Sequence, residues 1–170
     1  ITAFEAAAEC RRLGVDLLIT DHHLPKERLP DAMAIVNPNK GTCGSELGHL
    51  SGVGVAFYLA WALGREMKSQ GLLSVPIDLK ALLDVYVIGT LTDLVPLRDE
   101  NRVLIKHGLI QLERTKRPLL KALLRELGLE GRPLSSSDVA MQIAPKLNAL
   151  SRLEIGLKPR DVLSMDFDGD

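Results

Sequence analysis

The sequence predicts an α/β fold, with parallel strands in its first part and a mainly helical second half. Three observations carry that prediction. Two short Val/Ile-bearing runs, Val15–Thr20 and Ala32–Val36, each end at a polar or proline-bearing turn, which is the length and composition of sheet strands. An amphipathic segment precedes the first run and a loop joins the two, so the order helix, strand, loop, strand favours parallel pairing in a layered fold. From Ser51 onward the pattern turns helical, with Pro96, Pro118, Pro133 and Pro145 as punctuation.

Thr2–Leu13 is predicted as a helix because Phe4, Ala7, Ala8 and Leu13 share a face and Gly14 offers a stop. Val15–Thr20 follows as a buried strand, delivering Asp21-His22-His23 to a loop. Pro25 and Pro30 mark the turn before the second strand, which Asn37-Pro38-Asn39 closes. Ser51 is a good N-cap for a helix over Val53–Met67. Leu79–Leu91 is apolar on nearly all sides and long for one strand, hence a buried helix. Asn101–Leu112, Leu119–Leu127 and Ser137–Ala144 complete the helical half, the last broken by Pro145.

Composition narrows the function classes. The 170 residues are 46% hydrophobic and 25% charged, the average for globular domains, which excludes disordered, collagenous and disulfide-scaffold chains. Leu50–Leu63, the longest mainly apolar stretch, is too short and glycine-rich for a membrane span. Cys10 and Cys43 are too few for a stapled secreted domain and fit a reducing compartment, so a cytoplasmic protein is expected. Net charge is −1, yet Arg98 to Arg132 holds nine Lys/Arg against five Asp/Glu. That excess reads either as a solvated helix surface or as a route for a polyanion. The chain opens at Ile1 in a helical pattern and stops within Met165–Asp170 in no regular one, and we expect a segment of a longer protein.

Asp21-His22-His23 sits where a strand ends, and in open α/β sheets the carboxyl ends of strands face the ligand crevice. Both imidazoles are then placed to coordinate a divalent ion and touch an anion, with Asp21 holding an imidazole N–H; solvated loop histidines are the alternative. Asp93 ends the apolar segment Val87–Leu97, and a buried carboxylate among apolar neighbours must be paired or metal-bound unless it caps the helix end. Ser51, Gly52 and Gly54 open a helix whose amides and dipole suit a phosphate. Asn148 and Arg152, four residues apart, would grip adjacent phosphate oxygens if they share a helical turn.

Taken together, Ile19-Thr20-Asp21-His22-His23, Gly89–Leu97 with Glu100-Asn101-Arg102, and Ile143–Ala149 with Arg152 resemble the DHH phosphoesterases over nearly the whole chain. Within that family they look most like the RecJ-type single-strand DNA 5′→3′ exonucleases. The resemblance implies a partial Rossmann-like DHH domain over residues 1–97 and a helical extension of the same catalytic core over 98–170. It implies a two-metal phosphodiesterase dependent on Mn2+ or Mg2+, with single-stranded DNA as partner. His22 and Asp93 would ligate a shared ion, Asp21 would orient His22, and His23 would face the scissile phosphate. The Ser51–Gly54 helix start and Asn148 with Arg152 would hold phosphates of the strand.

The Asp-x-Asp pair that the family carries upstream of its Asp-His-His motif is not found ahead of Asp21, no Gly-Gly-His motif occurs, and Leu150-Ser151 stands where Ala-Gly is usual. The segment alone is therefore expected to bind metal weakly and turn over little. Two competing readings are a DHH phosphodiesterase for short oligonucleotides, dinucleotides or mononucleotides, and a non-catalytic relative that serves as a replication or repair scaffold. Asp166, Asp168 and Asp170 lack the glycine placement of a calcium loop, Cys43 with His49 lacks a second pair for zinc, and His107 is expected on a helix surface.

Overall fold

The structure, a computed structural model, describes residues 1–150. Helix α1 (Phe4–Arg12) ends at Leu13 because Gly14 turns left-handed at φ 67°. The Gly14 amide then reaches the Arg11 carbonyl and the Val15 amide the Cys10 carbonyl, the paired bonds of a Schellman stop. Strands β1 (Leu18–Thr20) and β2 (Ala34–Val36) pair in parallel, with Leu18, Ile19 and Thr20 opposite Ala34, Ile35 and Val36. Both strands are shorter than the apolar runs that announce them. The pairing continues one step beyond β1, where the Asp21 amide donates to the Val36 carbonyl at 3.1 Å.

Burial of the first strand, expected from its composition, is not observed. Leu18 is 65% exposed and only Ile19 is half covered. Among the described residues the sheet has two strands, so each is an edge strand and lacks the flanking neighbours that a buried parallel strand has.

Helix α2 (Gly52–Ser69) starts as expected at Ser51, whose hydroxyl accepts the Gly54 amide at 3.2 Å. Ser51 itself is buried, with Gly54 and Val55 behind it. These elements form one compact unit, Ile1–Ile77, and a second begins at Asp78. The expected division at 97/98 thus falls inside the second unit, in the turn between its first two α-helices.

In the second unit a 3-10 turn (Leu79–Leu82) leads into α3 (Leu83–Thr92), buried nearly all round through Leu83, Asp84, Tyr86, Val87, Ile88, Thr90 and Leu91. Helix α4 (Asp99–Glu113) packs on it with Asn101, Ile105, Gly108 and Leu112 buried at helical spacing. Gly108 marks the closest approach: a Cβ there would lie 2.8 Å from the Leu83 carbonyl oxygen and 2.8 Å from Val87 Cβ. Gly108→Ala is accordingly expected to cost about 1–3 kcal/mol of stability, despite alanine's better helix propensity. Urea unfolding checks this, and a neutral or stabilising change would show that the α3–α4 contact yields freely.

Helix α5 (Pro118–Glu126) follows, then α6 (Ser136–Asp138), opened by a capping box between Ser135 and Asp138 that Arg132 reinforces with a 2.7 Å bond to Asp138. Pro145 does not break the helix as expected. A π-helical turn, Val139–Ile143, joins α6 to α7 (Ala144–Leu150), with the Ala144 amide on the Val139 carbonyl. The wider turn seats Pro145 at the second position of α7, where a proline lacking N–H is tolerated.

Candidate metal and phosphate site

Strand β1 ends because Asp21 turns its side chain back on the chain. Its Oδ1 accepts the His22 amide at 2.8 Å and the His23 amide at 3.2 Å, an Asx-type turn that competes with continuation of the ladder. The same oxygen lies 2.7 Å from His23 Nδ1, and Oδ2 lies 3.2 Å from the Ile1 nitrogen. Asp21 was expected to orient His22. Its carboxylate instead bonds the His23 ring and engages His22 through the main-chain amide.

Burial by itself would raise the Asp21 pKa, but the hydrogen bonds from the His23 ring and from the amides of His23 and His22 outweigh it. The carboxyl is held well below the usual Asp range and stays ionised at neutral pH. An ionised carboxylate can only accept, so His23 carries its proton on Nδ1 and keeps Nε2 for another partner.

One ligand atom from each of Asp21, His22 and His23 lies within 4.8 Å of the others. Asp21 and His22 are half-buried and His23 is exposed. One carboxylate and two imidazoles make a mixed oxygen–nitrogen donor set, which suits Mn2+ better than the all-oxygen preference of Mg2+. The residues therefore fit a divalent ion, as a partial ligand set. The His22 ring also reaches α2: a Cβ on Gly52 would stand 3.5 Å from His22 Cδ2. The helix start and the triplet are thus brought together within the first unit. Ser51 already takes the Gly54 amide, so the amides available to an anion are those of Gly52 and Val53, ahead of the first helical bond from Val55 to Ser51.

Asp93 lies in the second unit as the C-cap of α3, and it is exposed. The expectation of a buried carboxylate is overturned: α3 stops at Thr92, and Leu94 at φ 56° turns the chain away from the apolar face. Asn101 secures this turn, donating to the Pro96 carbonyl at 3.0 Å and accepting from the Tyr86 hydroxyl at 2.8 Å. Asn148 is exposed on α7, and Arg152 lies outside the described residues, as do Asp166, Asp168 and Asp170. His107 is on the surface of α4, as expected. Part of the basic excess is committed elsewhere, since Arg117 bonds Asp84 and Arg125 bonds Glu130, while Arg102, Lys106 and Lys121 are exposed.

Two residues escaped the sequence reading. Asn37 and Asn39, read only as the close of a strand, donate side-chain hydrogen bonds to the carbonyls of His23 and His22. The available signal was a pair of asparagines flanking a proline directly after β2.

Comparison with known proteins gives this arrangement a context. The family described as "DHH family, N-terminal domain" matches residues 1–90. The chain is 43% identical over 154 residues to the single-stranded-DNA-specific exonuclease RecJ of Bacillus subtilis, covering 91% of this chain and 18% of that protein. It is 40% identical over 159 residues to the RecJ of Salmonella typhimurium, covering 91% of this chain and 28% of that protein. Among solved structures, the exonuclease RecJ bound to manganese matches with a TM-score of 0.76 and 31% identity, over 96% of this chain and 38% of that one. RecJ from Thermus thermophilus in complex with Mn2+ matches with a TM-score of 0.77 and 32% identity, over 98% of this chain and 24% of that one. The chain thus spans less than a third of the length of these curated relatives. Among the described residues, no helix is long and apolar enough to cross a membrane. On the match over residues 1–90 and the histidine-bearing turn within it, the chain belongs to the DHH family.

Proposed function

We propose that the protein carrying this chain is a metal-dependent 5′→3′ exonuclease that hydrolyses phosphodiester bonds of single-stranded DNA, acting in DNA repair and recombination in the cytoplasm. The observation that carries the proposal is the convergence of Asp21, His22 and His23 at the end of β1, their ligand atoms within 4.8 Å. The similarity to single-stranded-DNA-specific exonucleases supports the substrate class.

In this reading His22 and Asp93 are metal ligands, and Asp21 fixes the tautomer of His23. His23 presents Nε2 to the phosphate, holding charge or a proton there. The amides of Gly52 and Val53 form the anion seat at the start of α2, with Ser51 as the cap that takes the Gly54 amide and so removes Gly54 from the expected set, and Asn148 with Arg152 grips phosphates further along the strand. Bound Mn2+ or Mg2+ would supply Lewis-acid polarisation and water activation.

The test uses the full-length protein on a long 5′-labelled single strand, the corresponding duplex, and a trinucleotide. The expected result is release of nucleotides from the long strand, abolished by EDTA and restored by Mn2+, with kcat/KM about tenfold or more above that for the trinucleotide. Equal or faster cleavage of the trinucleotide would assign the protein to short oligonucleotides. Activity indifferent to EDTA would overturn the metal reading.

A further inference from the structure

The aim of two imidazoles is set by the backbone that carries them. On one side of the Asp21–His23 turn, the Asp21 carboxylate holds the amides of His22 and His23. On the other side, the carbonyls of those two residues are each taken by a separate asparagine. Asn37 Nδ2 donates to the His23 carbonyl at 2.9 Å, and Asn39 Nδ2 donates to the His22 carbonyl at 2.7 Å. The two side chains are themselves tied: Asn37 Oδ1 accepts the Asn39 amide at 2.8 Å, and Asn37 is only 3% exposed. Asn39 Nδ2 also donates to the Gly48 carbonyl at 3.2 Å. That reach requires a residue without a side chain, because a Cβ on Gly48 would come within 2.5 Å of Asn39 Oδ1. Pro38 between the two asparagines fixes one φ and leaves no amide to compete for these carbonyls.

We infer that Asn37 and Asn39 are positioning residues for the His22–His23 site, clamping its two successive carbonyls, and that Gly48 is the glycine this clamp needs. The inference rests on the metal phosphoesterase reading for its functional consequence, while the clamp itself stands on geometry. Second-layer partners of metal ligands act in this way, fixing ligand orientation, and their loss weakens metal binding without removing a ligand.

The test compares Asn37→Asp, Asn39→Asp, Asn39→Ala, Gly48→Ala and the double variant Asn39→Ala/Gly48→Ala in the full-length protein. An aspartate keeps the size and the Oδ1 acceptor and loses the Nδ2 donor. It also adds a negative charge that attracts a cation, so weaker Mn2+ binding reports position and not charge. Asn37→Asp, Asn39→Asp and Gly48→Ala are each expected to weaken Mn2+ binding by about tenfold to a hundredfold. They should also speed hydrogen exchange of the His22 and His23 amides while leaving the amides of α3 unchanged, and lower kcat with little change in KM for the strand. Gly48→Ala should add nothing to Asn39→Ala, because both act through one amide. Gly48→Ala meets only the end of a flexible side chain, so it tests the clamp even if an Asn39 variant does not fold.

Unchanged Mn2+ affinity and unchanged local exchange, with only a lower Tm, would reduce the asparagines to folding roles and overturn the inference; so would additive effects in the double variant. A wild type that binds no Mn2+ would sink the metal reading separately, and the exchange measurement would still decide the clamp.

Discussion

Replacing His23 by alanine in the full-length protein should lower the turnover of single-stranded DNA by about 10²–10⁴-fold, the range for loss of a positioned proton donor or charge stabiliser. The geometry makes this substitution informative. The side chain of His23 is 72% exposed, so its removal leaves no cavity and the fold should hold. Its Nδ1 is committed to Asp21 at 2.7 Å, and Asp21 is kept ionised, so the ring is oriented with a single nitrogen left over. A ring tethered at one end and exposed at the other meets the requirement for work on a substrate. The effect should fall on kcat, with Mn2+ affinity reduced far less than by His22→Ala, which removes the proposed ligand. Nucleotide release from a 5′-labelled strand at saturating Mn2+ checks it. Turnover within about threefold of wild type would remove His23 from the chemistry.

The parts legible in the sequence were those encoded by neighbours. The triplet Asp21-His22-His23 is contiguous, and the strand before it is announced by its own composition, so both the pairing and the turn could be read locally. The Ser51 cap and the exposed His107 follow from helix periodicity in the same way. What escaped depends on distant segments. Asn37 and Asn39 reach carbonyls 14 and 17 residues away, a contact that exists only once β1 and β2 lie side by side. Strand burial was misjudged because a Val/Ile run prescribes a face to be covered without supplying the cover. Pro145 looked like a helix breaker because the rule applies to regular α-helix, and the π-helical turn at Val139–Ile143 supplies a different spacing. The carboxylates are the sharpest case. Asp84 and Asp93 both stand among apolar neighbours, yet Asp84 is 2% exposed and Asp93 is exposed at a helix end. Which of them is buried is decided by where α3 stops and which of its faces α4 covers.

Asp84, singled out by neither composition nor motif, is where the largest stability effect is expected: Asp84→Ala should cost about 3–5 kcal/mol, the penalty for breaking a buried ion pair by removing one partner. The carboxylate accepts from Thr115 Oγ1 at 2.7 Å, from Arg117 Nε at 3.1 Å and from the Val85 amide at 2.7 Å. Thr115 Oγ1 in turn accepts the Arg117 amide at 3.2 Å, so the segment that leads into α5 is tied to α3 through this one side chain. Removal leaves a threonine hydroxyl and a guanidinium, only 29% exposed, without the acceptor they share. Asp84→Asn should cost less, because it retains an oxygen for one of these donors while losing the charge. Asp93→Ala should change stability by well under 1 kcal/mol, as exposed positions do. Urea unfolding of the three variants orders them, and the order is the test. An Asp84→Ala cost below about 1 kcal/mol would mean that the α3–α5 connection holds without its ion pair. A cost at Asp93 equal to that at Asp84 would mean that the exposed carboxylate carries structure as well as its proposed metal.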